Sequence, residues 1–461
     1  MVSRSETAVA RLTDSLPDPY PVRRAAGVSG VVEPPGSKSI SHRALNLALI
    51  GRRSATIENL LDADDIAAFR AVLDAMGWCL RSVSGSGLRV GPPPKDGTED
   101  AVRLDCRSAG TLLRLLVASC AVTPGEWILD GSPRLRERPI GPLVAALRRL
   151  GAEIDELGRP GCAPVRVRGG RLAGGRVEID AGESSQYVSA LLMAALNAEG
   201  PIELRVPLLV SSPYVDTTLE VMADFGAPVE VRRDGEAREF RVEPRGPELA
   251  NGRYRVAGDD SAAAYPAAAA AICGGSVRLR GLSPAATQGD RAFLGLLERM
   301  GASVQATEHE IRVEADGTLT AVDCDLSAMP DQVPTLAAVA AFAEGTTRIR
   351  NVAHLRIKES DRLAAVATGL RRAGVAVDEL ADGLRIDGNP GLVAPQGSAR
   401  IPIDTYDDHR IAMSMALVGM RRGGLSIRHP EVVGKSYPGF WRDLSGIRRW
   451  TSPGHPARPR A

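Results

Sequence analysis

The sequence predicts an α/β protein of two domains, assembled from six copies of one β-α-β-α-β-β unit. Three observations carry this expectation. First, a helix-like run, a glycine and a β-like stretch recur as one phrase at Ala75-Met76-Gly77, Arg149-Leu150-Gly151, Asp224-Phe225-Gly226, Arg299-Met300-Gly301 and Arg372-Ala373-Gly374. A glycine at that place reads as a helix C-cap, after which a new strand begins. Second, the phrases are 74, 75, 75 and 73 residues apart, and four near-equal intervals mark a repeat. Third, central helices are expected to start near Ser37, Gly110, Ser184, Ser261, Asp331 and Asp408. Six starts give three units per domain, with the sixth unit truncated.

The fourth copy shows the elements of one unit in order. Tyr254–Val256 reads as a short strand, and Ser261 opens an Ala-rich helix whose regularity Pro266 opposes. Ser276–Leu279 alternates as a strand. Asp290 opens a second helix, with Phe293, Leu296 and Met300 near helical spacing. Two strand-like stretches follow, around Val304 and Ile311. The expected domains are residues 37–256, and residues 27–36 together with 257–446. Residues 1–26 and 447–461 read as flexible ends, being polar and Pro- or Arg-containing.

Bulk properties narrow the function. Among 461 residues the formal charge is +1, so no global field draws nucleic acid or a membrane surface. The six cysteines are scattered and form no CxxC pair, which argues against zinc and for a reduced, cytoplasmic chain. No secretory leader is recognised, and no run reaches the roughly 20 apolar residues of a membrane span.

The chemistry concentrates at the helix starts. The first-helix series offers Gly36-Ser37-Lys38-Ser39 with Arg43, Ser108-Ala109-Gly110-Thr111 with Arg114, Ser184-Ser185-Gln186, Asp331, and Asp408-His409-Arg410. Small residues there leave backbone N–H groups open, and the helix dipole favours an anion at that end. A lone Ser or Asp is usually an N-cap, which is the reading for Ser261. A cation such as Lys38 or Arg410 opposes the dipole and calls for a bound anion. The second-helix series holds Asp64-Asp65, Arg136 to Pro139, Ser211 to Tyr214, Gln288 to Asp290, Lys358 to Arg362, and Lys435-Ser436. Taken singly these are solvated charges. Taken as recurrent positions about a pseudo-threefold axis, they converge. Two facing domains then line a cleft with Lys38, Arg43, Arg138, Lys358, Arg362, Arg410 and Lys435, with Asp331 and Glu359 among them. That set suits polyanionic ligands and proton transfer. Gly36-Ser37-Lys38-Ser39 is not a phosphate-binding Walker loop, which needs Gly directly before Lys. Glu308-His309-Glu310 lacks metal-ligand spacing on a helix, and no metal is expected.

Five motifs carry a resemblance: Pro35 to Arg43, Glu137-Arg138-Pro139-Ile140, Ser184-Ser185-Gln186, Arg356 to Leu363, and Asp408 to Met413. In their order and spacing, from about Gly30 to Leu444, the chain resembles the 3-phosphoshikimate 1-carboxyvinyltransferase (EPSP synthase) family. The resemblance implies the enolpyruvyl transferase fold, a two-domain inside-out α/β barrel of six such repeats. It implies transfer of the enolpyruvyl group of phosphoenolpyruvate to the 5-hydroxyl of 3-phosphoshikimate, with release of phosphate. It also implies no cofactor and no metal, a monomer, and small-molecule substrates as the partners, with neither nucleic acid nor membrane. Carried over by motif, Lys38, Ser39, Arg43, Ser184, Ser185, Gln186, Ser211, Asp331, His354 and Lys358 hold 3-phosphoshikimate. Lys38, Gly110, Arg138, Gln186, Arg362, His409, Arg410 and Lys435 hold phosphoenolpyruvate. The catalytic residues are then Asp331 as base for the hydroxyl, Glu359 as proton donor to carbon with a raised pKa, and Lys38 touching both ligands.

The chain departs from the family in its second copy. Ser108 replaces the usual Asn, bulky Leu112 replaces a small residue, and His354 stands where many members have Asn or an acid. Three other readings stay open. A sister family moves the same group to a UDP-sugar with a Cys in the copy-two loop, but Asp130 to Pro139 contains none. A specialised paralogue acting on a related shikimate-derived acid fits the altered loop. A non-enzymatic metabolite-binding protein would not need both Asp331 and Glu359 beside the cations.

Overall fold

A computed structural model describes residues 16–93, 100–170, 172–284 and 287–449. Six small sheets follow one another along the chain, and the complete ones share one strand order. In the second unit, Val102–Asp105 runs parallel to Gly125–Asp130. Gly125–Asp130 then pairs antiparallel with Val165–Gly169, which pairs antiparallel with Glu153–Glu156. The parallel pair needs a crossover, which the first helix of each unit supplies; the antiparallel pair needs only a hairpin. The third and fifth units repeat this order from Gly175–Glu178 and Asp323–Asp325.

The first helices form the interior. Lys38–Gly51, Gly110–Ala121 and Gln186–Ala194 pack on one another in the first half. Asp260–Cys273, Val333–Ala340 and His409–Arg422 do so in the second. Almost every residue of these helices is buried, so their all-round apolar composition follows from their place. Alanines 262–264 and 267–271 leave room for close packing, and the helix runs through Pro266. Outside them lie the sheets, whose strands alternate buried and half-exposed residues, as Ile202–Val206 does. Helices inside and sheets outside is the inside-out arrangement expected. One apolar core runs from Ile40 to Val256; the other joins Val22–Val32 to Ala262–Ile447.

Three details differ from the sequence reading. Arg253–Arg255 leads into the helix Asp260–Cys273, yet it pairs with Ala55–Glu58 in the first unit's sheet. In exchange, Gly27–Val32 leads into the helix Lys38–Gly51 but pairs with Gly275–Arg280 in the fourth. The chain crosses between halves twice as a result. The crossings lie side by side, with Ser37 donating to the Ala257 carbonyl at 2.8 Å and Asp259 to that of Pro35 at 2.9 Å. A Cβ on Gly36 would stand 1.9 Å from the Asn59 carbonyl oxygen, so no side chain fits there.

The second detail is the N-terminal segment, expected to be flexible through residue 26. Tyr20–Pro21 instead pairs antiparallel with Leu425–Ile427, and Val22 and Ala25 are buried. The truncated sixth unit lacks its hairpin, so that strand edge is free for this segment. Third, the tail was expected from residue 447, but Arg448–Arg449 pairs with Gly27–Val28. Residues 1–15 and 450–461 of the expected flexible ends lie outside the described residues.

Candidate active site between the two halves

The cleft between the halves opens onto about 720 Å³, its mouth included. Lys38, Ser39, Arg43, Arg138, Ser184, Ser185, Gln186 and Ser211 line it from the first half. From the second half come Asp331, His354, Lys358, Glu359, Arg362 and Arg410. These fourteen residues lie at or near helix starts, brought to one place by the pseudo-threefold packing of the helices. Three expected residues stand off this wall. Gly110 lies against the Arg138 guanidinium, where a Cβ would come within 2.3 Å of Nη1. Lys435 reaches behind, 3.7 Å from Glu359 and donating to the Ser108 carbonyl at 3.1 Å. His409 is fully buried in the field of Lys38 and Arg410, and burial holds its ring neutral.

The first-half wall is rigidly built. Buried Arg43 donates to Thr218 Oγ1 at 2.8 Å, to the Ser39 carbonyl at 2.9 Å and to that of Tyr214 at 2.7 Å. Burial lowers its pKa to about 10, so it stays cationic at neutral pH. Arg114 does not line the cleft; it donates to Gln186 Oε1 at 2.8 Å, and Gln186 donates to Thr111 at 2.9 Å. The helix Gly110–Ala121 receives no side-chain cap at its start. Its first-turn N–H groups therefore suit an anion.

The second-half wall is a charge network around Arg362. Its guanidinium donates to Asp408 Oδ2 at 2.7 Å, to Asp331 Oδ1 at 2.8 Å and to Glu359 Oε2 at 2.8 Å. Arg410 holds the other Asp331 oxygen at 2.7 Å. Fully buried Asp408 also accepts from Ser360 and from the Arg410 backbone N–H, so one carboxylate aims both arginines. Asp408 was read only as a helix start. Its burial depends on the partners that folding brings, which no local pattern encodes. Tyr214 also lines the cleft; it stood in the second-helix series but was not named as a site residue, because nothing local sets it apart there.

Charge states follow from this network. Burial would raise the Asp331 pKa, but Arg410, Arg362 and Lys358 outweigh it and hold the carboxyl far below its usual range. Glu359 was expected to have a raised pKa, and the structure reverses that. Burial acts upward, yet Arg362, Lys435, Arg138 and Lys38 together keep it well below the ordinary value. Lys358 falls to about 7 through burial and the nearby Arg138, Arg114 and Arg362, despite the opposing pull of Asp331. His354 falls to about 4, chiefly through burial and secondly through Lys358. Arg138 is buried, and its Nε and Nη1 make no hydrogen bond among the described residues. Its nearest carboxylate, Glu359, is 3.8 Å away across the cleft. A buried guanidinium with spare donors suits a multidentate anion.

Residues on both sides meet around the cleft. Arg134 donates to the Lys358 carbonyl at 3.0 Å, and Ser211 to that of Ser327 at 3.0 Å. Among the described residues no group of His, Cys, Asp and Glu has the arrangement of a metal site. None of the described helices is long and apolar enough to cross a membrane.

Known proteins match this arrangement over nearly its whole length. The profile of the EPSP synthase (3-phosphoshikimate 1-carboxyvinyltransferase) family matches residues 22–444. The chain belongs to the EPSP synthase family. It is 45% identical over 424 residues to the 3-phosphoshikimate 1-carboxyvinyltransferase of Syntrophobacter fumaroxidans, covering 92% of this chain and 98% of that protein. It is 43% identical to that of Methanoculleus marisnigri, covering 92% and 98%. The EPSP synthase structure from Acinetobacter baumannii superimposes with a TM-score of 0.72 at 26% identity, covering 93% of this chain and 97% of that one. Against this family background the copy-two loop becomes clear. Leu112 faces the core, fully buried, and does not line the cleft. Ser108 bonds Ser132 at 3.0 Å through its hydroxyl, while its carbonyl holds Lys435. The EPSP synthase departure at Leu112 is thus a packing change.

Proposed function

We propose that this chain transfers the 1-carboxyvinyl group of phosphoenolpyruvate to the 5-hydroxyl of 3-phosphoshikimate, releasing phosphate. The observation that carries the reading is the pair Asp331 and Glu359, both bound by Arg362 inside a cleft whose other charged lining residues are Lys and Arg. Two acids with shared cations can move two protons while the cations hold the substrates' charge.

In this reading Ser39, Arg43, Ser184, Ser185, Gln186, Ser211, His354 and Lys358 hold 3-phosphoshikimate. Arg138, Arg362, Arg410 and Lys435 hold phosphoenolpyruvate, with the Gly110 N–H and Gln186 beside them. Lys38, 3.5 Å from Asp65 on its own half, reaches both ligands. His409 supports this wall from behind rather than touching a ligand.

Proton transfer then follows from the charges. The carboxylate and phosphate of phosphoenolpyruvate engage Arg138, Arg362, Arg410 and Lys435. Those cations no longer depress Asp331 and Glu359, and both acids rise toward proton-exchanging values. Asp331 takes the proton of the 5-hydroxyl as its oxygen bonds to C2. Glu359, once protonated, gives a proton to the methylene carbon, which becomes a methyl. The tetrahedral adduct carries phosphate and carboxylate on one carbon, and the arginines stabilise it. Loss of a methyl proton back to Glu359 and cleavage of the C2–O bond to phosphate restore the double bond, and the leaving phosphate carries off the proton that Asp331 took. The direct test is phosphate release: it is expected only with phosphoenolpyruvate and 3-phosphoshikimate together. Binding of both without release would refute the transferase reading.

Lys358 adds a pH dependence. Near pH 7 it is half-neutral in the free protein, and a dianionic phosphate favours its charged form, so binding takes up a proton above that pH. The phosphate itself is already dianionic there, its second pKa being about 6. Affinity for 3-phosphoshikimate is therefore expected to fall by up to about tenfold per pH unit between about 7 and 9. Calorimetric titration across that range measures it. Lys358→Gln should flatten the slope, and an equal slope in that variant would exclude Lys358 as its source.

A further inference from the structure

Asp290 is a buried carboxyl that the proposed chemistry does not use. It lies in the turn Gly289–Ala292, at the start of the fourth unit's second helix. Its Oδ1 accepts from the Tyr214 hydroxyl at 3.1 Å, and its Oδ2 from that of Ser261. Tyr214 belongs to the first half, and Asp290 and Ser261 to the second. The halves touch closely at this seam. A Cβ on Gly289 would stand 2.4 Å from the Pro213 Cβ, so only glycine lets Asp290 come up to Tyr214. Thr217 Oγ1 reaches the Thr287 carbonyl at 3.4 Å, and the Thr287 N–H meets Glu220 at 2.9 Å, extending the same seam.

We propose that Asp290 is a positioning residue that orients Tyr214 for the acceptor substrate. This rests on the transferase reading above. An ionised carboxylate accepts only, so both hydroxyl protons point toward Asp290. Tyr214 lines the cleft, and in this proposal its oxygen offers a ligand there its remaining lone pair and no proton. Such an atom recognises a ligand hydroxyl, not a ligand carboxylate or phosphate. Arg43 fixes the other end of the residue by binding the Tyr214 carbonyl, so the ring is held at both ends beside an acceptor-side cation. The effect therefore falls on the polyhydroxylated acceptor, and phosphoenolpyruvate, which has no hydroxyl, is little affected.

Steady-state phosphate release, with each substrate varied in turn, tests this in the wild-type chain, Asp290→Leu, Tyr214→Phe and the double variant. Each single change is expected to raise KM for 3-phosphoshikimate by about three- to tenfold, the effect of one neutral hydrogen bond, while KM for phosphoenolpyruvate stays within about twofold. The double variant should be no worse than either single one, because both remove one contact. Asp290→Asn, whose Oδ1 still accepts the Tyr214 proton, should recover most of the loss. Losses that multiply in the double variant, or equal rises in both KM values, overturn the proposal. If Asp290→Leu does not fold, Tyr214→Phe alone decides: an unchanged KM for 3-phosphoshikimate overturns it. A wild-type chain without turnover refutes the transferase reading instead, a distinct outcome.

Discussion

Asp331→Asn and Glu359→Gln are each expected to lower kcat by about a hundredfold to ten-thousandfold, the range for loss of a general acid or base. The amides keep the size of the carboxyls: in Glu359→Gln the amide oxygen still accepts from Arg362, and in Asp331→Asn the single amide oxygen keeps one of the two arginine contacts. KM values should therefore move by only a few-fold, which places the loss in the transition state. Turnover with both substrates measures it. Full kcat in either variant would remove that residue from the proton-transfer scheme. Alanine at 331 is a poorer test. It would leave Arg362 and Arg410 short of a partner in a buried site, so a lost fold would be mixed with lost chemistry.

Arg362→Met and Arg138→Met should move stability in opposite directions while both impair phosphoenolpyruvate binding. Arg362 balances three carboxylates, those of Asp331, Glu359 and Asp408. Removing it strands them, and breaking a buried ion network of this kind costs about 3–5 kcal/mol. Arg138 is also buried, but among the described residues its Nε and Nη1 have no hydrogen-bond partner and its nearest acid is 3.8 Å away. Methionine there removes an undersatisfied buried charge, so the unliganded protein should hold or gain about 1 kcal/mol. Thermal unfolding without ligand, paired with KM for phosphoenolpyruvate, separates the two. If Arg138→Met unfolds as readily as Arg362→Met, then Arg138 is a structural pair of Glu359 and not an anion seat.

The charges of the cleft are unevenly matched. Among the described residues Lys38 stands 3.5 Å from Asp65, and Arg138 and Lys435 stand 3.8 and 3.7 Å from Glu359, while Asp331 and Glu359 each lie in the field of several cations. Such an imbalance is tolerated at functional sites because the ligand completes it.

Much of the cleft was visible in the chain itself. The cations Lys38, Arg138, Lys358 and Arg410 sit at helix starts, where a positive charge opposes the dipole, and that local misfit can be read without coordinates. The residues that went unassigned are of another kind. Tyr214, Asp290 and Asp408 look like ordinary turn or capping residues in sequence, and each acquires its meaning from a partner at long range: Tyr214 from Asp290, and Asp408 from Arg362. Leu112 is the opposite case. As a departure from a motif it marked an altered loop, but helical geometry turns it into the core.

The six-unit order and the positions of the helix starts were settled along the chain, since glycine caps, apolar periodicity and N-terminal charges act within a turn or two. The register and partner of each strand were settled only by folding. The expected domain bounds set Gly27–Val32 apart from the helix it leads into, but its pairing with Gly275–Arg280, like that of Arg253–Arg255 with Ala55–Glu58, is a contact between distant segments with no local signature of its partner. The charge on Glu359 was settled the same way. Burial alone raises a carboxyl, but four cations gathered from separate units keep it ionised, and a sum of long-range fields exists only in the assembled cleft.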